Sequence, residues 1–416
     1  MLGDSCDTSW APGVPDAPAE MQDWKARVWL WGLWVALIGA YAAGLVHSGE
    51  RILGGGADFT SFYGAARIVY SGDGESLYRL ETQQKAQSEW RHQPLPYLHP
   101  PFEVLLYLPL APLPFAHAYV AFVLVNAALV GAVARFRLPN DPADGSVTLL
   151  QAVACLAFYP VFLAIAHGQD SLLLLLLFSL ALVALKRGQE FRCGACLGLA
   201  LFKFQFVLPL LVAFAWKKRV RVLTGVLVTA VLLVLLSMLL VGWRGVVEYP
   251  HFLLGTSRNP GLGIYDPAGM PNLRGLLTAI LPGGSQSGAL AMTALSLSLG
   301  LLVVAARQWP AMEPVPSAGL ELAFALNVIL ALLVSYHLNG HDVSLMLLPV
   351  ALIVRHLRAG RPGSRVRRAA LCGLILALYY PPFLVPSAVV PPAPIFWVML
   401  LLAGTLFVEL RSEVRA

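Results

Sequence analysis

The chain has 416 residues, of which 58% are hydrophobic and 12% charged, with a formal net charge of +6. A soluble domain carries about 25% charged residues, so this chain cannot clothe the two or three soluble domains its length implies. Most soluble folds are excluded, and the thirty prolines predict broken membrane spans around a cavity rather than a bundle of ideal helices.

The first apolar stretch, near 28–46, follows Lys25 and Arg27. It is long for a signal-peptide core, so it reads as an uncleaved first helix behind a cytoplasmic tail, 1–27. The loop 47–100 then lies outside. Within it, Ala57 to Arg67 spaces aromatic and small residues three and four apart, which predicts a helix along the membrane surface. A second helix is expected at 80–91. Pro94 to Phe102 cannot be helix interior, and Pro109, Pro112 and Pro114 predict a broken, partly re-entrant segment. Spans are expected near 116–134, 149–166 and 171–185, the last two joined by His167-Gly168-Gln169-Asp170.

The stretch 193–216 is apolar and lies between two basic clusters, Lys186-Arg187 with Arg192, and Lys217-Lys218-Arg219 with Arg221. Both clusters belong on the cytoplasmic side, yet the stretch is too short to cross twice. Two short helices meeting inside the membrane near Lys203-Phe204-Gln205 satisfy both conditions. Further spans are expected near 222–241, 288–306, 320–337, 343–355, 369–386 and 395–410. The sum is an all-α polytopic membrane protein of about twelve spanning or partly spanning helices. It forms one domain, 28–410, with a short tail 411–416 and both termini cytoplasmic. The basic excess thus marks one membrane face, and no nucleic-acid partner is implied.

Several polar groups stand out against this apolar background. Asp58, after Gly54-Gly55-Gly56-Ala57, fits a helix cap or a general base. His167, Gln169 and Asp170 fit a turn with caps, or the lining of a polar cavity. Lys203, mid-way along an apolar segment, requires an anionic partner, a phosphate or an outer carboxylate. His337 and His341, followed by Asp342, suggest phosphate binding or proton handling. Gly340 interrupts the pair, and no zincin-type glutamate is present. Arg258, Asn259, Asn272 and Arg274 offer further phosphate or sugar ligands. Of the cysteines Cys6, Cys155, Cys193, Cys196 and Cys372, only Cys193 and Cys196 have metal-like spacing, without a second pair. No metal and no cofactor are expected, and no glycine-rich nucleotide loop occurs.

In order along the chain come Ala57-Asp58-Phe59-x-x-Phe62-Tyr63-x-Ala65-Ala66, Leu77-Tyr78, Tyr97-x-x-Pro100-Pro101, Gly168-Gln169, Lys203-Phe204-Gln205, Asn272-Leu273-x-Gly275 and His337-x-x-x-His341-Asp342. This series resembles the bacterial polyprenol-phosphate-mannose-dependent mannosyltransferases, glycosyltransferase family 87 of the GT-C class. The chain departs from the family's habit at Phe204, where proline is common, and at Asp170, where asparagine is common. The resemblance implies a hexosyltransferase of the cell envelope, in the bacterial inner membrane, acting on the extracytoplasmic face. Its donor would be a polyprenyl-phosphate-linked monosaccharide, with mannose the expected sugar, and its acceptor a glycolipid or glycan hydroxyl. By the same resemblance Asp58 becomes the catalytic base of an inverting displacement. Lys203, Gln205, His337, His341, Arg258, Asn272, Arg274, His167, Gln169 and Asp170 become donor-phosphate or sugar ligands. The alternative class is a secondary transporter or flippase for a sugar or lipid-linked saccharide, in which Lys203 and the histidines form a proton or substrate path.

Overall fold

Long apolar runs without β-branched alternation favour helices, and the computed structural model contains no strand among its described residues. These are residues 19–136, 138, 145–257, 267–281, 288–309, 318–359, 364–384 and 393–415. Helix α1 (Ala19–His47) begins before the expected residue 28. A π-helical turn at Ile52–Gly56 follows. Gly55 has φ +83°, and a Cβ there would lie 2.6 Å from Trp90 Cβ, so only glycine fits.

Helix α2 (Phe59–Tyr70) is covered by protein, with residues 59–66 and Ile68 all buried. Its cover is aromatic: Phe62 stacks on Tyr107 at 4.5 Å between centroids, and Phe59 meets Phe115, Tyr119 and Phe122. The three-and-four spacing marked a helix with one small-residue side and one aromatic side, both of which pack. Helix α3 (Leu80–Gln87) ends short of the expected residue 91. The proline-rich stretch that follows runs through short 3-10 and α turns from Pro101 to Leu110, as its prolines require.

Then come α4 (Phe115–Ala134), α5 (Gly145–Leu156), α6 (Tyr159–His167), α7 (Ser171–Lys186), α8 (Glu190–Leu199), α9 (Phe204–Trp216) and α10 (Val220–Ser257). A 3-10 turn, Ala200–Lys203, joins α8 to α9. Drawn straight, the 27 residues from Glu190 to Trp216 would span about 40 Å. Instead Arg219 donates to Glu190 at 2.7 Å, so the two ends meet and the segment is the expected hairpin, with Lys203 at its tip. Helix α10 runs beside α8 and breaks at Gly242, where φ is +66°. A Cβ on Gly194 would sit 2.0 Å from Val222 O, and one on Gly198 2.5 Å from Thr229 Cβ. Gly194-x-x-x-Gly198 is therefore a close-packing face of the kind that joins membrane helices.

The remaining helices are α11 (Leu273–Ile280), α12 (Gly288–Arg307), α13 (Ala318–Val334), α14 (Leu347–Arg358), α15 (Arg365–Leu378) and α16 (Ile395–Arg415). At the basic end, Glu321 of α13 pairs with Lys186 of α7 and with Arg355 of α14. Glu409 of α16 is fully buried against His356 and Arg367. Among the described residues five helical stretches are long and apolar enough to cross a membrane, one of them the 190–216 segment that folds back, or seven if each of two bent pairs is one span. The expected twelve are not reached on that test. Polar turns and prolines cut several apolar runs short, and Ser171–Lys186 and Gly319–Val334 remain as shorter apolar helices.

Placing a branched side chain at Gly194 should push α8 off α10. Gly194→Leu is expected to reduce folded yield and thermal stability in detergent, whereas Gly300→Leu, with nothing within 4 Å of its Cβ, should leave both unchanged. Equal stability of the two variants would contradict the packing role.

Candidate functional site

The hairpin tip, the α6–α7 turn, the α13–α14 turn and the start of α2 converge at the end of the bundle opposite the basic clusters. Gly168 makes the convergence possible. Its φ is +63°, and a Cβ would lie 2.7 Å from Phe59 Cβ, so the turn presses directly on the first residue of α2. Gln169 is thereby carried to Asp58, and its Nε2 donates to Asp58 Oδ2 at 2.8 Å. His167 Nδ1 lies 3.4 Å from the same oxygen. Asp58 stands at the N-cap position of α2 but makes no capping hydrogen bond. Its carboxylate is turned to the turn residues instead, which removes the capping alternative.

Below this accessible group lies a closed ionic centre. Lys203 Nζ sits 2.6 Å from Asp342 Oδ1 and 2.8 Å from Asp170 Oδ1. Ser171 Oγ accepts from Lys203 at 2.9 Å and donates to Asp342 Oδ1 at 3.0 Å. The backbone N–H of Asn339 donates to Asp342 Oδ2 at 3.1 Å. The anionic partner required by Lys203 is thus a pair of carboxylates, drawn from two turns. Burial disfavours a charge on Asp342, but the Lys203 ammonium outweighs it and holds that carboxyl well below the usual range. Burial pushes the His341 imidazole down to about 4, against the opposing pull of Asp342, so the ring is neutral at pH 7. The His341 ring lies 6.3 Å from that of His167, which places both histidines on the Asp58 side of the centre.

The other expected residues take different positions. Asn272 is a structural tie: its Oδ1 caps α11 at Gly275 N, and its Nδ2 donates to Ser335 O at 2.9 Å. Arg274 lies over the Tyr336 ring, 3.9 Å from its centroid, and donates to Tyr336 O. It shares no salt bridge with a described carboxylate. His337 is half-buried in the same turn, and Gln205 is half-buried two residues past Lys203. Arg258 and Asn259 lie outside the described residues.

Three participants escaped the sequence reading. Ser171 bridges Lys203 and Asp342, while His99 and Glu103 approach Asp170, with donor atoms of all three within 4.8 Å of one another. His99 Nδ1 and Glu103 Oε2 are 2.7 Å apart. The four-residue interval between His99 and Glu103 was the available signal, obscured by the prolines between them. This trio is a grouping of metal-ligand type where no metal ligand was expected.

Removing the cation should leave two buried carboxylates unmatched. Lys203→Met is expected to cost about 3–5 kcal/mol of stability, and adding Asp170→Asn with Asp342→Asn should recover part of it. Thermal denaturation in detergent checks this; a single variant as stable as the parent would contradict the ion-pair role.

The profile of glycosyltransferase family 87 matches residues 97–335, more than half of the chain. That range holds His99, Asp170 and Lys203, while Asp58 precedes it and His337 and His341 follow it. No curated protein and no solved structure matches the chain. A multi-pass set of apolar helices with its polar groups gathered at one end, matched over more than half its length, belongs to glycosyltransferase family 87.

Proposed function

We propose that the protein transfers a single sugar, with mannose the expected one, from a polyprenyl-phosphate carrier to a hydroxyl of a glycolipid or glycan on the extracytoplasmic face. One observation carries the assignment of the base. Asp58 is 34% exposed in its side chain, whereas Asp170 and Asp342 are at most 3% exposed and committed to Lys203. An acceptor hydroxyl meets Asp58 and no other carboxylate of the cluster.

In this reading the acceptor oxygen loses its proton to Asp58 as it attacks the anomeric carbon. The phosphate departs from the opposite face, and one displacement inverts the anomeric configuration. Gln169 fixes the orientation of the carboxylate, and His167 adds a second polar contact to it. A phosphate leaves readily without general-acid help, so the site has only to stabilise its charge. Arg274, which has no salt bridge among the described residues, and His337 in the adjoining turn suit that task. Lys203, already matched by two anions, acts as a positioning residue that holds the two turns together. A polyprenyl tail finds apolar surface on the spans, which is consistent with a sugar transferase built almost wholly from membrane-length helices.

Asp58→Asn preserves shape and the contact with Gln169 while removing the base. In proteoliposomes supplied with a panel of polyprenyl-phosphate sugars and a lipid-linked glycan, its transfer rate is expected to fall by about 10²–10⁴-fold, with donor binding kept. Retained transfer would sink the base assignment. Product of retained anomeric configuration would exclude the single displacement. Arg274→Ala should raise the KM for donor more than that for acceptor, and an equal rise in both would count against its phosphate role.

A further inference from the structure

We propose that His99, Glu103 and Asp170 form a binding site for one divalent transition-metal cation, next to the Lys203 centre. The proposal is independent of the identity of the sugar donor.

The first ground is geometry. One nitrogen and two carboxylates present donor atoms within 4.8 Å of one another, a spacing that one ion closes at bond lengths of about 2.0–2.2 Å once the side chains draw in by roughly half an ångström. The donors come from two separate pieces of chain, the proline-rich segment and the α6–α7 turn. The His99 ring is held by its neighbours: it lies 4.8 Å from Phe62 and 5.7 Å from Tyr97 between centroids. Its backbone carbonyl accepts from Tyr78 Oη at 2.7 Å, and Tyr97 N donates to Gln83 Oε1 at 2.9 Å. The imidazole is therefore preset, as a metal ligand requires.

The second ground is unmet demand. Glu103 and Asp170 are 4% and 1% exposed. Asp170 Oδ1 has the Lys203 ammonium at 2.8 Å, but Glu103 Oε1 and Asp170 Oδ2 find no donor, and the Glu103 and Asp170 carboxyl groups face each other. Buried carboxylate oxygens left unpaired are costly. Two of them facing a third ligand need a cation or a shared proton.

Charge decides between these. One ammonium, Lys203, serves Asp170 and Asp342, and Glu103 adds a third carboxylate. With all three carboxylates ionised the closed centre carries a net charge of −2, which a divalent ion cancels and a single proton, favoured on Glu103 by burial and by Asp170, only halves. The imidazole nitrogen turns selection away from calcium and magnesium, which favour all-oxygen sites, and toward manganese or zinc. The His99 side chain is 23% exposed, leaving one edge for entry and for an outside ligand. Asp170 is the residue that completes the trio.

The test uses the full-length protein in detergent, stripped with a chelator and then equilibrated with Mn²⁺, Zn²⁺ or Co²⁺. Elemental analysis is expected to give one equivalent of bound metal, and Co²⁺ should give visible absorption bands of a nitrogen–oxygen ligand set. Glu103→Gln and His99→Gln should each weaken binding at least 10-fold, while Asp58→Asn should bind like the parent. Absence of stoichiometric metal and of cobalt bands in the parent protein would overturn the proposal. So would unchanged binding by both ligand variants. The cobalt spectrum of the parent decides the matter even if a variant fails to fold. A protonated-carboxyl infrared band that disappears in Glu103→Gln, seen in metal-equilibrated protein, would mean that a proton holds the place instead.

Discussion

An ammonium group taken out of water and set between two carboxylates is the constraint on which the rest depends. Lys203 stands at the tip of a hairpin, where no basic flank is within reach of its charge. Its desolvation is offset only if anions arrive from elsewhere in the chain. Asp170 arrives on the α6–α7 turn and Asp342 on the α13–α14 turn. Three elements distant in sequence are thus pinned at one point, and Ser171 closes the ring of contacts. Breaking any member leaves a charge inside an apolar bundle, so the arrangement is all-or-none.

Asp58, the proposed base, is placed by this pin rather than by its own helix. Gln169 precedes Asp170 in the same turn, and Gly168 lets that turn touch Phe59. Holding Asp170 on Lys203 therefore holds Gln169 on Asp58. The aromatic cluster beneath α2 supplies the opposing wall. Phe59, Phe62 and Tyr107 pack closely enough that the start of α2 cannot retreat. A carboxylate open to solvent is consequently fixed at the edge of a rigid, closed ionic floor, the arrangement that precise chemistry needs.

The opposite end of the bundle uses the same device for a different purpose. Glu321 gathers Lys186 and Arg355, while buried Glu409 gathers His356 and Arg367. Each acid sits on a helix and draws bases from neighbouring helices, so these pairs clamp helices side by side. At the site end the partners sit on turns, which orients loops. Similar ion pairs therefore serve packing at one end and positioning at the other.

The class of the protein was legible in its sequence because charge scarcity and apolar runs are local properties. The hairpin was legible too, since two basic clusters only 24 residues apart cannot lie on the same face without a turn-back in the membrane. Asp58, Lys203 and the turn residues could be singled out because a polar group in an apolar run is costly wherever it lies. Their partnerships were not legible. Whether Lys203 answers a phosphate or a carboxylate depends on which turns reach the hairpin tip. That α2 is covered by protein depends on aromatic residues about 40–60 positions later. His99 and Glu103 looked like part of an irregular proline segment until the fold brought Asp170 beside them. Periodicity and charge act along the chain and set the elements. Desolvation acts through space, and only the tertiary structure decided which charges would satisfy one another.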